Sequence, residues 1–450
     1  MKILCHVGPW CSDQFKTIAE GFDARAKIRF VSGFRKLDQT GLVDAYYEYF
    51  NAEDQMISSD PQDEEVILRC RLMRAIPNNL AKRHVSAMRQ AIREMLLRES
   101  PDVFICESVD QYLHDLLFQE TERLGIVGYG LIRTFVNGYF RISTRGEMQA
   151  VREPNAHEVS VILSKLTDDK YIPQNLVSLK RSLFQTYFKI YISNHLRVIY
   201  FTALRWVTGE VYNYHYWSSL LTTKNYYAHI IPRISFGDSE WRCRISKSNR
   251  LVIFIPLQHV PEATVDYWAD EVEMVDYETR LINFINNLSS DFQILVKEHP
   301  GVWGFRKPSF YSAIERANSS FIVCPTAVSA QECVAASDAV LVWTGSVGFE
   351  AALRGKPVLT TCTPYYASGS RFKKVTLTTN NSEISDFIRN VSAAPITIEE
   401  QITMVRNLLC GIIAGTFKND GKFDKFNQND IDEAKRVGKF LRHVYDRNIH

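Results

Sequence analysis

Features that would point directly to a function are missing from this sequence. No stretch of about 18 uncharged apolar residues occurs, so no membrane-spanning helix is predicted. Neither sign of charge dominates, because the formal net charge is +2, and this argues against a nucleic-acid partner. The nine cysteines include no CxxC pair, which favours reduced thiols and an intracellular protein. The first residues are typical of a β-strand rather than a signal peptide, so we expect a cytoplasmic location.

Motifs of several common catalytic centres are also missing. The sequence has no Walker A loop, and no GxGxxG follows the first predicted strand, which argues against P-loop hydrolysis and dinucleotide redox chemistry. It has no HExxH motif, and no DxD pair is predicted to hold a divalent metal on a donor diphosphate. We therefore predict no metal site and no cofactor, and a donor with a single phosphate fits this pattern.

The length and the alternation of elements predict two domains. A chain of 450 residues suits two cores of about 200 residues each. Strands alternate with helices in the first third, and the pattern begins again near 250. We predict an α/β protein of the GT-B type, with two Rossmann-like doubly wound parallel sheets facing a cleft and helices at the C terminus. The predicted boundaries are 1–240 for an acceptor domain, 245–397 for a nucleotide-sugar donor domain and 398–450 for helices that pack back on the first domain.

An aromatic-rich segment over 175–230 separates the two patterns. Phe184, Tyr187 and Tyr191 belong to a stripe at helical spacing, with basic residues between its members. One interpretation is a long helix that packs this stripe on the protein's own core. The other is an amphipathic surface that contacts anionic lipid as a peripheral protein of the inner membrane. Both interpretations fit an enzyme with a lipid-linked acceptor.

A first polar cluster, Lys297-Glu298-His299-Pro300, ends a buried strand predicted over 293–296. Pro300 cannot extend the strand and turns the chain outward. His299 is therefore predicted at the lip of the cleft, where it donates to a phosphate or protonates a leaving group. The alternative is a histidine that only supports the strand end.

A second polar cluster, Thr344-Gly345-Ser346, opens directly into a predicted helix. Gly345 permits a tight turn, and Ser346 is predicted as the N-cap. Free amides and hydroxyls at a helix start bind anions. Glu350 lies four residues after Ser346 on the same helix face, where it accepts from ribose hydroxyls. The alternative is that Ser346 only caps the helix and Glu350 only complements its dipole.

Carboxylates follow two further predicted strands. Glu262 ends the loop after the strand at 251–257 and is predicted as a nucleophile or charge stabiliser in glycosyl chemistry, with Asp266 as its rival. Glu107 follows the strand at 102–106 and is predicted as a general acid or base, with Asp110 as the alternative. Arg133, after the fourth strand, is predicted to contact an acceptor or a carboxylate.

At these residues the chain resembles the capsule-polysaccharide synthesis family of bacteria, which includes retaining β-Kdo transferases and related transferases of nonulosonic acids. The resemblance rests on three segments in consistent order: PLQHVPEAT (256–264), LVKEHPGVWGFR (295–306) and TGSVGFEAALRGKPVL (344–359). It implies a GT-B fold, a CMP-activated 2-keto sugar acid donor, no metal requirement, and contacts from His299 and Ser346 to the cytidylate phosphate. This chain has Pro261-Glu262 where those transferases tend to carry an aspartate, so a retaining or inverting course stays open.

The sequence thus predicts a metal-independent glycosyltransferase that moves Kdo, or a related acid such as sialic acid, from CMP onto a bacterial surface polysaccharide or lipid-linked glycan. Two alternatives remain, a GT-B transferase or epimerase that uses a UDP- or GDP-hexose and a non-catalytic capsule assembly subunit. The predicted catalytic residues are Glu262, Glu107 and His299. The predicted donor-binding residues are Lys297, Glu298, His299, Pro300, Thr344, Gly345, Ser346, Val347, Gly348, Glu350 and Lys356. Arg133 and Gln258 are the predicted acceptor or carboxylate contacts.

Overall fold

The chain forms two compact units in the computed structural model, which describes residues 1–9, 11–52, 60–168, 171, 182–232, 237–288, 291–318, 320–417 and 427–449. The first unit comprises 1–152, 198–221 and 411–450, and the second comprises 153–197 and 222–410. Each unit is built on its own six-stranded sheet.

The sheet of the first unit is parallel except at one edge. Its strands are β1 (Lys2–His6), β2 (Lys27–Val31), β3 (Val103–Glu107), β4 (Val127–Arg133), β5 (Tyr139–Ile142) and β12 (Ile412–Ala414). Their order is β12-β5-β4-β3-β1-β2. The pairs β1–β2, β1–β3 and β3–β4 are parallel, whereas β4–β5 and β5–β12 are antiparallel.

Helices cover this sheet on both faces. They are α1 (Ser12–Phe22), α2 (Leu42–Asn51), α3 (Pro61–Arg69), α4 (Asn78–Glu99), α5 (Tyr112–Arg123) and α17 (Gln428–Ile449), with a 3-10 turn at Met73–Ala75. Phe15, Ile18 and Phe22 recur at helical spacing on α1 and are buried with strand residues and with Leu441 of α17 in one core.

The second unit has an entirely parallel sheet. Its strands are β6 (Leu251–Pro256), β7 (Phe292–Lys297), β8 (Phe321–Cys324), β9 (Ala339–Val342), β10 (Val358–Thr360) and β11 (Phe372–Lys374). The order β11-β10-β9-β6-β7-β8 places the first strand in the middle and reverses direction there, as in a Rossmann sheet. Because both faces of such a sheet are covered, β7 and β9 are buried along their whole length.

The helices of the second unit connect these strands and extend beyond them. They are α6 (Ala156–Thr167), α9 (Trp241–Ser246), α10 (Ala263–Asp266), α11 (Tyr277–Asn287), α12 (Pro308–Ala317), α13 (Ala330–Ala335), α14 (Val347–Leu353), α15 (Asn381–Ala393) and α16 (Ile398–Cys410). Two 3-10 turns lie at Val272–Val275 and Pro300–Val302. The helices α7 (Leu183–Thr208) and α8 (Tyr214–Tyr226) contain residues of both units.

The predicted α/β class with two Rossmann-like sheets is confirmed. The observed division of the chain differs from the predicted boundaries, because 153–197 and 222–240 group with the second unit, and so does α16. Strand β12 also interrupts the C-terminal region predicted as helical, since it pairs with β5. Among the described residues, no helix combines the length and apolar character that crossing a bilayer requires.

The predicted aromatic stripe on α7 divides between the two interpretations. Tyr187 is buried in a small cluster with Tyr227, Trp303 and Phe305. Phe184 and Ile199, in contrast, are 49% and 67% exposed. Part of the stripe therefore packs on the protein's own core, and part of it lies on the surface. The portion of the predicted segment at 175–181 lies outside the described residues.

Candidate active site

Three polar loops of the second unit meet at one edge of its sheet. They follow β6, β7 and β9, and β6 lies between the other two in the sheet. Because the three strands are parallel, their carboxyl ends lie at the same edge, where open α/β sheets bind ligands. The loops at 258–264, 298–301 and 344–346 are therefore neighbours.

His299 is held as a neutral hydrogen-bond donor. The Gly301 N–H donates to its Nδ1 over 3.1 Å, so the ring proton lies on Nε2. The His259 ring lies edge-on, with the two ring centroids 5.2 Å apart. Burial, reinforced by the charges of His259, Lys297 and Arg306, lowers the pKa of His299 to about 3. The neutral ring can donate a hydrogen bond from Nε2. It cannot act as a general acid towards a leaving group at neutral pH, because it is not an imidazolium there.

Glu298 positions the loop rather than facing a ligand. Its Oε2 accepts from Arg306 Nε over 2.8 Å and from the Tyr311 hydroxyl. Its Oε1 accepts from the His299 N–H over 2.8 Å and from Arg306 Nη2 over 3.4 Å. Both oxygens are thus engaged inside the protein, and the side chain is 4% exposed. Glu298 was predicted to contact the donor. That prediction is corrected, because its carboxylate is engaged by groups of the protein itself.

Arg306 links the β6 and β7 loops and was missed by the sequence analysis. Its Nη2 donates to the Gln258 backbone carbonyl over 2.9 Å, and its Nη1 donates to Glu278 over 2.7 Å. The two carboxylates raise the pKa of the guanidinium further. The only sequence hint was a basic residue eight positions after Glu298 in a buried segment, which does not specify a partner.

Lys297, the last residue of β7, precedes Glu298 and His299, and Pro300 follows them. Lys297 is 7% exposed, its ammonium lies 3.5 Å from the Glu298 carbonyl, and burial lowers its pKa. Its strand partner is Cys324 on β8. Pro300 begins the 3-10 turn, as its fixed φ favours. Pro300 therefore shapes the loop that presents His299.

The 344–346 loop is fastened to the β6 loop. The Thr344 hydroxyl donates to the Thr264 carbonyl over 3.0 Å. The Gln258 side chain lies against Gly345 so closely that a Cβ there would meet its Nε2 at 2.9 Å. The Tyr366 hydroxyl donates to the Gly345 carbonyl on the other side. These contacts place Gln258 and Gly345 beside each other.

Ser346 stands at the N-cap position of α14, but its side chain makes no capping bond. The predicted side-chain cap is therefore wrong, although the position is right. The helix has only seven residues, so its dipole is a weak source of anion affinity. Val347 is its first residue, and Gly348 allows it to pack closely on Tyr366, Val342 and Val358.

Glu350 is half-buried one turn into α14. No hydrogen bond or ion pair to its carboxylate is found among the described residues. Burial raises its pKa to about 7, against the opposing charge of Arg354. A carboxylate in this state is ready to accept from a ligand hydroxyl.

Glu262 is the exposed carboxylate of the β6 loop. Its Oε2 accepts from the Thr264 hydroxyl over 2.7 Å, and the Thr264 carbonyl is the acceptor for Thr344. Its rival Asp266 is 1% exposed within α10. Of the two, Glu262 is the one that a ligand at this edge can reach.

Lys356 lies at the other edge of the sheet, and its predicted donor contact is corrected. It precedes the amino end of β10. Its ammonium donates to the carbonyls of Ser337 over 2.6 Å and Ala335 over 3.4 Å. Since β9 and β10 are parallel, this position is remote from the carboxyl ends that carry the three loops.

In the first unit, Glu107 ends β3 and Arg133 ends the adjacent strand β4. Glu107 is half-buried, and its Oε1 has no hydrogen-bond partner. Burial and the charge of Asp110 raise its pKa to about 7, and Arg133 opposes this. Arg133 donates from Nε to the Phe417 carbonyl over 2.6 Å, whereas Asp110 is exposed and paired with Arg71.

Comparison with known proteins gives one family and several distant structures. Residues 212–382 match the family described as capsule polysaccharide biosynthesis protein. No curated protein sequence matches the chain. The solved structures similar to it include Thermosulfurimonas dismutans KpsC, a beta Kdo 2,7 transferase, at 13% identity, covering 98% of this chain and 100% of that one, with a TM-score of 0.39.

Two UDP-GlcNAc 2-epimerases are similarly distant. The enzyme from Neisseria meningitidis, bound to UDP-GlcNAc, is 11% identical over 100% of both chains, with a TM-score of 0.28. The enzyme from Methanocaldococcus jannaschii, in complex with UDP-GlcNAc and UDP, is 11% identical over 91% of this chain and 98% of that one, with a TM-score of 0.28. Likenesses this weak carry no argument about activity.

The family match spans the three loops built around Gln258, His299 and Gly345. It includes each of the three segments on which the sequence resemblance rests. The resemblance to this family is confirmed over residues 212–382, where the family model matches.

Proposed function

We propose that this protein is a glycosyltransferase that moves Kdo or a related 2-keto sugar acid from its CMP-activated form onto a bacterial surface polysaccharide or lipid-linked glycan. One observation carries the proposal. The β6, β7 and β9 loops of the capsule-family region hold His299, Gln258 and Gly345 together at the ligand-binding edge of a Rossmann sheet.

The proposed donor contacts use neutral groups and one carboxylate. His299 donates from Nε2 to the phosphate of CMP, and the Ser346 hydroxyl, which caps no helix, is a second donor. Hydrogen bonds to a charged phosphate are worth about 1.5–3 kcal/mol each. Glu350 accepts from the ribose hydroxyls. No metal ion or cofactor has a part in this proposal, because a single phosphate is handled by these donors.

The proposed chemistry assigns one carboxylate to each reacting partner. Glu262, exposed on the β6 loop, attacks or shields the anomeric carbon of the donor. Glu107, with its unpartnered oxygen, takes the proton of the acceptor hydroxyl. Arg133 beside it contacts the acceptor. Attack by Glu262 followed by acceptor displacement retains the anomeric configuration, whereas shielding alone goes with inversion.

Donor choice is the direct test. The protein is incubated with CMP-Kdo, CMP-sialic acid, UDP-GlcNAc or a GDP-hexose, together with a capsule glycan acceptor, and release of nucleotide is followed. We expect CMP release from a CMP-sugar acid, at a rate unchanged by added Mg²⁺ or Mn²⁺. Turnover of only a UDP- or GDP-sugar contradicts the donor assignment. Absence of both turnover and nucleotide binding contradicts catalysis and favours an assembly subunit.

The exposed face of α7 supports contact with a lipid-linked acceptor at a membrane surface. Ile192, Leu196, Ile199 and Trp206 lie on one helix face and are 53%, 60%, 67% and 80% exposed. Exposed basic residues of the same helix, such as Arg197, provide attraction to anionic headgroups. We therefore include peripheral association with an anionic membrane in the proposed function.

Vesicle sedimentation tests this part separately. Wild type is expected to sediment with vesicles that contain anionic phospholipid and not with neutral ones. The double variant Leu196→Glu with Ile199→Glu is expected to stay in the supernatant. Leu97→Glu, on α4 and 59% exposed in wild type, is the matched control and is expected to behave as wild type. Equal sedimentation of the double variant contradicts a membrane-binding face on α7.

A further inference from the structure

A cluster of metal-ligating side chains lies in the first unit. It consists of His6, Cys106 and His114, whose ligand atoms all lie within 4.8 Å of one another. They come from three elements, because His6 ends β1, Cys106 lies in β3 and His114 lies in the first turn of α5. The strand register places His6 and Cys106 side by side, since Cys5 pairs with Ile105.

All three side chains are buried, with exposed fractions of 5%, 0% and 4%. Even so, His6 Nε2 and His114 Nδ1 have no hydrogen-bond partner. A buried polar atom without a partner costs roughly 1–3 kcal/mol. Two such atoms beside one thiol form a pattern that a bound cation would satisfy. The two rings meet edge-on, with centroids 4.3 Å apart.

We infer that His6, Cys106 and His114 form a binding site for a divalent zinc-class ion, with a fourth position left to water. Two imidazoles and one thiolate are the ligand types that zinc prefers. A tetrahedral ion with bonds of about 2.0–2.3 Å holds its ligand atoms about 3.3–3.8 Å apart. The observed separations need only modest side-chain contraction to reach that geometry.

Each histidine keeps one buried ring nitrogen without a hydrogen-bond partner, Nε2 of His6 and Nδ1 of His114, and each can serve as a ligand atom. On binding, the Cys106 thiol releases its proton to solvent and its sulfur bonds the ion.

Gln111 completes the site from one turn of chain away. Its side-chain amide lies 2.8 Å from His114 Nε2. Turned so that its oxygen accepts from that nitrogen, it leaves Nδ1 as the ligand atom and fixes the ring, which is a role that outer-shell partners take at zinc sites. The sequence analysis did not predict this site, because its ligands are spread over three distant segments rather than one motif.

Metal content decides the inference without any measurement of turnover. The full chain is dialysed against a chelator and then titrated with Zn²⁺ or Co²⁺ alone. We expect one ion per chain, and with Co²⁺ a thiolate-to-cobalt charge-transfer absorption. Cys106→Ser should abolish that absorption and weaken binding at least about 100-fold, while Gln111→Ala weakens it about 10- to 100-fold. Cys5→Ser, which removes another buried thiol of the same sheet, should bind as wild type.

Three results would overturn the site. Wild type that takes up no stoichiometric ion excludes it. Folded Cys106→Ser, with unchanged circular dichroism, that binds as tightly as wild type excludes the thiolate. Should Cys106→Ser fail to fold, the wild-type cobalt spectrum decides, and absence of the thiolate absorption contradicts the proposal. None of these results depends on whether the protein transfers sugar.

Discussion

One polar cluster at the carboxyl edge of the second sheet is paired within the protein, whereas polar groups at the carboxyl edge of the first sheet are not. In the second unit, Glu298 and Arg306 satisfy each other and fasten the loops that present His299. In the first unit, His6 and Glu107 each bury an atom without a hydrogen-bond partner. The first arrangement is complete without a ligand, whereas the second leaves buried polarity that an ion or a substrate would satisfy.

This contrast teaches that the two edges need different tests. A preassembled loop network should fail through loss of folding when one member is removed. An edge with unpartnered groups should keep its fold and lose only chemistry or ligand.

Replacing Glu107 tests the edge with unpartnered groups and should have the largest effect. Glu107→Gln keeps the shape and removes the base, so we expect turnover to fall by roughly 10²- to 10⁴-fold with little change in stability. The measurement is CMP release with donor and acceptor. Asp110→Asn, an exposed neighbour, is the control and should stay within about threefold of wild type. A larger loss from Asp110 than from Glu107 would transfer the role to Asp110.

Replacing Arg306 tests the preassembled edge. Arg306→Ala leaves Glu298 buried without its cation, so the free energy of unfolding should fall by about 3–5 kcal/mol. Urea unfolding followed by circular dichroism measures this. Arg316→Ala, at the end of α12, removes a surface arginine and should cost no more than about 0.5 kcal/mol. Equal losses in the two variants would show that the network adds no stability.

His299→Ala should weaken CMP binding by about 10- to 100-fold, because it removes one donor to a charged phosphate. Calorimetric titration with CMP measures the change. Lys356→Met, at the opposite edge of the same sheet, should bind CMP as wild type does. If Lys356→Met binds CMP more weakly than His299→Ala does, the phosphate is bound at the amino edge of the sheet, which contradicts the proposed site.

Two glycines, one in the 344–346 loop and one in α14, separate ligand binding from packing. Gly348→Ala brings a methyl group within 2.8 Å of the Tyr366 hydroxyl and 2.9 Å of Val342, so we expect a loss of about 1–3 kcal/mol in stability. Gly345→Ala meets only the movable end of Gln258, so it should fold normally and bind CMP about tenfold more weakly. Thermal unfolding and CMP titration are measured on both. If Gly345→Ala lowers stability and leaves CMP binding unchanged, Gly345 does not contact the ligand.

The smallest effect concerns Glu350 and pH. Its folded-state pKa of about 7 lies above the usual 4.5, so its contribution to stability is present below about pH 4.5 and is lost as pH rises through about 7. Glu350→Gln should therefore gain stability relative to wild type between about pH 5 and about pH 8, by about 1–2 kcal/mol after solvent screening. Thermal unfolding across this range measures it, and a constant difference would contradict the raised pKa.

The sequence pattern was sufficient to predict features that lie within a single helix or strand. The buried runs before His299 and Thr344 predicted parallel strands, and both form. Strands β5 and β12 were missed because they pair antiparallel and lie outside the strand–helix alternation on which the prediction relied. The position of Lys356 was missed for another reason, since a residue beside a strand does not reveal the edge to which it belongs.

The site was less predictable than the fold, because pairing across segments is invisible in one sequence. Arg306 reaches Gln258 across 48 positions, and Cys106 meets His6 across 100. Neither separation corresponds to a sequence motif. Of the two roles predicted for His299, burial favours donation of a hydrogen bond to a phosphate over protonation of a leaving group.

The central claim is that the β6, β7 and β9 loops bind a cytidine monophosphate leaving group. A crystal structure with CMP bound tests it most directly. We predict the phosphate within hydrogen-bond distance of His299 Nε2 and of the 344–346 loop, with the ribose hydroxyls at Glu350. A nucleotide bound at the amino edge of the sheet near Lys356, or no nucleotide in the second unit, would contradict the account.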